Sequence, residues 1–423
     1  VAVATGGILQ PGGDNISFGD GAPGTLTVNG NLGLSPDSTN VFDFSSTTSN
    51  DILVVKGNLL ASNSVVSIHP YSSVILPAGT YPLINYTGAL SWPGAFNPAV
   101  QGTNTTRSTW TLTNDVANWV NLAVSDPYGT SITWRGYVNG DWDVGMTTNW
   151  NIDGSATATP FYHNDTVTFD DTGLTNAVNL TTAVQPTYMW VANNAVNYTV
   201  SSASGVGKIT GITGLWKTGN GSITLLTPND YTGGTMIFGG KVTIYDAPSF
   251  NSIVTVNPGC TFVMTNDMNW TGLAGFRVTG GGNWLITGPG GSGIGHYDVN
   301  ADMSLFTGTL TITNQRVVIE ALGELPGAAA TINVRGGGQV DLNAGIAFTR
   351  AMNLSGQGWQ EPAGYLGAIR FGANGVTQSG GLTLTGNARL CAYGTSATVS
   401  GNISGNYELE SWQGNNGLKV LVQ

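Results

Sequence analysis

From Thr25 to about Ile84 apolar and polar residues alternate with period two, in the short runs TLTV, NLGL, VFDF, ILVV, NLLA, VVSI, SVIL and YPLI. Alternation of this kind turns one face of a strand to a core and the other to solvent. Turn-forming residues separate the runs, at Asn29-Gly30, Pro36-Asp37, Ser49 to Asp51 and Lys56-Gly57. From Asn85 to Asp126 the pattern loosens into Pro, Asn, Thr and Trp around one clear strand, Trp119 to Val124, and reads as a long excursion. The rhythm resumes at about Val191 and continues to the end of the chain. Helix is nearly absent: the best candidate, Ile319 to Leu325, is interrupted by Gly323 and closed by Pro326, and supports one short turn.

The strands repeat. Tyr231 to Ile244 (YTGGTMIFGGKVTI) returns 75 residues later as Phe306 to Ile319 (FTGTLTITNQRVVI), pairing Gly233 with Gly308, Ile237 with Ile312 and Lys241 with Arg316. Ile253 to Met264 (IVTVNPGCTFVM) matches Thr331 to Leu342 (TINVRGGGQVDL) at an offset of 78, and Leu26 to Leu32 (LTVNGNL) is echoed as Leu53 to Leu59 (LVVKGNL) at an offset of 27. Self-similarity with small insertions is the mark of a solenoid, in which each unit buries its apolar face only by stacking on the next. The expected fold is all-β, a parallel β-helix (β-solenoid) forming a long rod, with like residues stacked into apolar ladders inside and Asn or Thr ladders at the corners.

Composition sharpens this picture. Of 423 residues 62 are Gly and only 9% are charged, so the surface is finished with Thr, Asn, Ser and Gly, which suit strands and tight turns. The chain is acidic, with 13 Lys plus Arg against 24 Asp plus Glu and no basic run, which argues against a nucleic-acid partner. No apolar run reaches the ~18 residues of a membrane span, and no signal peptide is visible, so membrane insertion is not expected. The start at Val1, in mid-pattern, reads as a mature product or an excised segment of something larger. Cys260 and Cys391 lie about six coils apart at roughly 20 to 25 residues per coil, far beyond disulfide reach, and read as buried small hydrophobes.

The stretch Gly214 to Ile244 resembles the autotransporter-associated β-strand repeat, through Lys217, Gly219, Gly221, Ile223, Leu225, Asn229, Tyr231, Gly233, Gly234, Thr235, Gly240 and Val242. The match is specific over about thirty residues and weaker across residues 1–60 and 245–345. A second segment, residues 134–171 with Trp134, Trp142, Trp150, Asn164, Asp165, Phe169, Asp170 and Asp171, is similar to a Trp-rich module that often precedes blocks of such repeats. The resemblance implies a right-handed parallel β-helix in a large secreted or surface-attached bacterial protein, with adhesion, matrix or fibre roles more often than catalysis. No series of amphipathic strands resembling a C-terminal membrane barrel is visible. The domains read as 1–130, a β-helix segment with a long excursion; 131–190, a Trp-rich capping or linking module; and 191–423, a β-helix segment carrying the repeats.

Candidate chemistry is sparse. Trp134, Trp142 and Trp150 are eight residues apart and, with Tyr137, suit a stacking platform for sugars; the same spacing suits one face of a small hairpin that seals the open end of a β-helix. Asp165, Asp170 and Asp171 are weak candidates for a calcium site or an acid–base pair, set against turn-forming carboxylates. His69, His163 and His296 are scattered without metal-ligand spacing, and Gly288 to Gly295 is Gly-rich but lacks the Lys-Ser/Thr of a phosphate loop. No cofactor and no catalytic set are expected. The leading expectation is a non-enzymatic extracellular structural protein, a β-helical rod forming a surface fibre, filament or matrix component. Subunits would join end to end through strand edges at Val1, Val3, Val420 and Val422. The alternative is a carbohydrate-binding or carbohydrate-cleaving β-helix that meets an extracellular glycan through the Trp- and Asp-rich module at 134–171.

Overall fold

Strands account for nearly all the regular structure of the computed structural model, and Leu322–Glu324 is the one helical turn among the described residues. Those residues are 1–12, 23–70, 74–92, 100–102, 104–125, 128–245, 251–265, 270–271, 276–288, 296–300, 302–392, 395–413 and 416–422. Their strands stack in parallel, coil on coil, into a β-solenoid of about 14 turns. The chain divides into two units, one of Val1–Thr130 with Tyr162–Asn164, the other of Ser131–Phe161 with Asp165–Gln423. Apart from Tyr162–Asn164, residues 131–190 and 191–423 share the second unit, and a single hydrophobic core runs from Ile132 to Leu409.

In the first unit the 27-residue echo is the register itself. Thr25–Val28 stacks on Ile52–Val55 with Leu26 on Leu53, and Leu32–Leu34 stacks on Leu59–Ala61 with Leu32 on Leu59. The third face is Thr39–Ser46 on Val65–Pro70. Inward side chains such as Phe42, Phe44, Leu53, Val66 and Ile68 are fully buried. The run SVIL does not form a strand over Val74 to Leu76, and its Ser73 lies outside the described residues. Trp119–Val124 is a strand as expected, but it pairs antiparallel with Gly79–Tyr86 on one side and with Trp110–Asn114 on the other. The excursion thus adds an antiparallel layer to the parallel stack.

Three columns of strands build the second unit. Column A runs Thr166–Phe169, Tyr188–Ala192, Gly214–Thr218, Thr235–Ile237, Ile253–Val256 and Arg277–Gly280. Column B includes Ser222–Leu225, Lys241–Tyr245, Thr261–Thr265, Asn283–Thr287, Thr309–Thr313 and Thr331–Val334, and column C includes Arg316–Ile319, Gln339–Leu342 and Ile369–Phe371. The inner ladder Val242, Phe262, Trp284, Leu310 and Ile332 passes through five successive coils of column B, every member buried. Each such side chain contributes roughly 1.5–3 kcal/mol by leaving water, and only because its neighbours above and below are present.

The 75-residue repeat is not a stacking register. Its first copy places Thr235–Ile237 in column A and Lys241–Tyr245 in column B, whereas the second places Thr309–Thr313 in column B and Arg316–Ile319 in column C. The copy has advanced by one face. What recurs is a strand, a glycine corner and a strand, and every face turns the same alternation toward the same core. The recurring glycines have a local cause, since a Cβ at Gly233 would overlap the carbonyl oxygen of Ile212 and one at Gly308 that of Gly282.

Asparagines hold the corners together. Asn31 Oδ1 accepts the amide N–H of Asn58, and Asn58 Oδ1 accepts that of Ala89. Asn179, Asn194, Asn197, Asn374 and Asn387 do the same for Ala203, Asn220, Ser222, Ser396 and Glu408, each one coil further on. A corner amide that cannot join a strand ladder is thereby satisfied, which accounts for much of the Asn content. Cys260 and Cys391 are both buried, and no disulfide joins them.

Candidate functional site: an outer aromatic face

In a strand whose odd positions meet the core, the even ones face outward. Along Tyr188–Ala192 the buried residues are Met189 and Val191, which leaves Tyr188 and Trp190 outside; along Gly214–Thr218 the buried Leu215 and Lys217 leave Trp216 outside. Parallel register then stacks Trp190, Trp216 and Met236 in one outer ladder of column A. Trp190 and Trp216 meet edge to face at 4.4 Å between centroids, with Tyr188 at 6.0 Å and Phe238 at 6.3 Å from Trp216. Gly214 sits beside Tyr188 in register and supplies no side chain, so the tyrosine ring lies over it. Tyr188 is 44% exposed, Met236 41% and Phe238 54%. The ladder is flanked by hydroxyls, Thr168 in the preceding coil and Thr255 and Thr279 in the two that follow, the last pair hydrogen-bonded at 3.0 Å.

Directly inside this face lies a buried cation. Lys217 is fully buried, and its Nζ donates to the carbonyl oxygens of Thr218 and of Gly219, the latter at 2.9 Å. Burial pushes its pKa down to about 8, with Cys260 and Asp171 opposing the shift. Asp171 accepts the backbone N–H groups of Asn194, Ala195 and Val196 in the next coil, and those hydrogen bonds hold its carboxyl below the usual range. Lys217 thus anchors a glycine corner from within.

The tryptophans singled out by their spacing are elsewhere. Trp134, Trp142 and Trp150 are 0%, 0% and 1% exposed, packed on one another at 4.9 and 5.1 Å and on Phe161 and Phe169. Trp150–Ile152 pairs antiparallel with Ser131–Trp134 and with Ala158–Thr159, so the rings fill the end of the second unit's core. A ring without exposed surface offers nothing for a sugar to stack on, and the platform expected at these three residues is corrected by their burial. The aspartates do not converge. Asp170 accepts the N–H of its neighbour Thr172, Asp171 caps the next coil, and Asp165 is buried with its carbonyl accepting the N–H of Thr187. Among the described residues no three His, Cys, Asp or Glu side chains are grouped to hold a metal.

His163 is buried, and burial lowers its pKa to about 4; His69 bonds Ser67 Oγ at 2.8 Å, and His296 lies 3.2 Å from Asp298. Val3 is in the strand Ala2–Val3, parallel to Leu32–Leu34, and the Val1 amino group donates to the carbonyl oxygen of Asn31. Val420 and Val422 belong to Asn416–Val422, which runs antiparallel to Tyr407–Gln413; their side chains, Gln423 and most of the Gly288 to Gly295 run lie outside the described residues.

Density of Trp along the sequence points to 134–150, where the rings are buried, and not to the outer ladder. The informative sign was parity, with Tyr188 and Trp190 alternating against Met189 and Val191, and a second Trp one coil later at Trp216. No protein-family model, curated protein or solved structure matches this chain.

Proposed function

We propose that this chain is a non-enzymatic structural protein of the bacterial surface or extracellular matrix, a solenoid of the autotransporter-associated kind that associates with copies of itself through the outer face of column A. The observation that carries the reading is the outer ladder of Tyr188, Trp190, Trp216, Met236 and Phe238, in which half-buried tryptophans sit among exposed Tyr188, Met236 and Phe238. A contiguous apolar patch rimmed by polar groups is the usual signature of an association surface. The carboxylates that sequence offered for acid–base chemistry take structural places instead, Asp170 and Asp171 at turns and Asp165 in a buried site. Contact between the same face of two copies closes into a dimer, the unit from which a fibre or matrix would grow. End-to-end joining at Val1, Val3, Val420 and Val422 has less support, because Ala2–Val3 runs parallel to its neighbour and Asn416–Val422 antiparallel, so a copy added there would break the parallel register.

Sedimentation velocity on the wild type and on a Trp216→Ala/Phe238→Ser variant tests this. The net charge of −11 opposes association, so self-association of the wild type should strengthen as the Debye length falls from ~30 Å at 0.01 M salt to ~8 Å at 0.15 M. The variant should stay monomeric throughout with an unchanged circular dichroism spectrum. A wild type that is monomeric under every condition, or a variant that associates equally well, overturns the proposal.

A further inference from the structure

One coil of column C is longer than those around it. Val340 stacks on Ile369 at an offset of 29, whereas Arg316 stacks on Gln339 at 23 and Ile369 on Leu390 at 21. The extra residues form a two-stranded hairpin, Gln360–Glu361 with Gly364–Tyr365, whose base is the bridge between Gly358 and Gly367. Arg370 and Arg389, on successive coils, hold it down, and Arg316, two coils before Arg370, joins the same network through Asp341. Arg370 Nη1 donates to Glu361 Oε2 at 3.1 Å and Arg389 Nη1 to the carbonyl oxygen of Tyr365 at 2.6 Å. Arg316 donates to Asp341 Oδ2 from Nε at 3.1 Å and Nη2 at 2.5 Å, and Arg370 Nη1 reaches the same oxygen at 3.3 Å. Asp341 is 1% exposed, so this network is desolvated and its charge-assisted bonds resist rearrangement. Arg389 also bonds Glu410 at 2.8 Å and lies over the Trp412 ring.

Pinned in this way, the hairpin and the corner at Asn314, Gly336 and Gly337 enclose a cleft of about 280 Å³. Its lining includes Trp359, 5% exposed, and Tyr365, 42% exposed. Asn314, Gln360 and Tyr365 line the same space, and none of their three side chains hydrogen-bonds a described residue. No charged side chain lines the cleft. Aromatic surface suits the apolar C–H face of a pyranose, and amides that both donate and accept suit its hydroxyls. A volume just below the ~300–1,000 Å³ of ordinary ligand pockets fits one or two sugar rings rather than a long chain.

We propose that this cleft binds a neutral sugar residue, with Tyr365 as its exposed aromatic wall, Asn314 and Gln360 as its hydroxyl partners, and Arg370 and Arg389 positioning the hairpin. The site is independent of the column A face. It places glycan recognition on the long coil of column C instead of the Trp-rich module.

The test is ligand-observed NMR of the intact chain with methyl glucoside, methyl galactoside and methyl mannoside, and with the methyl glycosides of glucuronic and galacturonic acid. Saturable binding of at least one neutral glycoside is expected, weakened about tenfold or more by Gln360→Ala and by Tyr365→Ala, two exposed positions whose replacement leaves the ion pairs in place. Arg389→Gln frees the Tyr365 carbonyl and should also weaken binding, while Trp216→Ala should not. Absence of saturable binding by every neutral glycoside, equal binding of the uronides, or indifference to both hairpin variants overturns the proposal.

Discussion

Replacing Lys217 by Met keeps the length of the buried stem and removes its charge. In the folded chain the pKa of Lys217 is near 8, against 10.5 for the free side chain, and burial is the main cause. Because the folded value is the lower one, the unfolded chain binds more protons between about pH 8 and 10.5, and stability must rise with pH across that window. At ~1.4 kcal/mol per pKa unit the full effect is about 3 kcal/mol, of which about 2 kcal/mol should return between pH 7 and 9.5. Cys260, raised by burial, and Tyr198, pushed up to about 12, run the other way, since each loses its proton more readily when unfolded. Tyr198 is present in wild type and variant alike and cancels; Cys260 is coupled to Lys217, so the comparison is made in a Cys260→Ser background, where the difference isolates Lys217. Urea unfolding followed by tryptophan fluorescence at several pH values should therefore show the advantage of Lys217→Met shrinking by about 2 kcal/mol as pH rises from 7 to 9.5. The bonds that Lys217 makes to Thr218 and Gly219 shift the whole difference without giving it a slope. A difference independent of pH would refute the reasoning, for it would mean that the amine holds its proton equally well in both states.

Two further outcomes follow from burial. Trp142→Ala removes a ring packed at 5.1, 5.4 and 5.5 Å from Trp150, Phe161 and Phe169, and should cost ~3–5 kcal/mol in urea unfolding; a loss under about 1 kcal/mol would show that the end of the core is not closed there. For His163, whose folded pKa of about 4 lies below the ordinary 6.5, stability is complete above pH 6.5 and falls by about 3 kcal/mol as pH drops to 4. His163→Gln should flatten that limb of the stability profile, and an unchanged profile would show that the imidazole is not buried neutral.

Period-two alternation and turn residues determined by themselves that the chain is all-β and stacked. Leu26, Leu32, Leu53 and Leu59 even carried one coil's register, because an in-register parallel stack places like on like and a recurring pattern at coil length is that geometry written out. The corner asparagines and the glycines at Gly233 and Gly308 were equally legible, since their causes lie within a coil or between adjacent ones. Other features were decided only in three dimensions. Equivalent faces accept the same strand–corner–strand unit, so no count along the chain could tell that the 75-residue copy had moved from columns A and B to columns B and C. Antiparallel closure at Trp119–Val124 and Trp150–Ile152 depended on which edge the chain returned to. The same limit governed the tryptophans. Trp142 and Trp216 both sit in short strands with alternating neighbours, and which of them is sealed in the core and which stands on the surface depends on the side from which the rest of the solenoid packs against the strand.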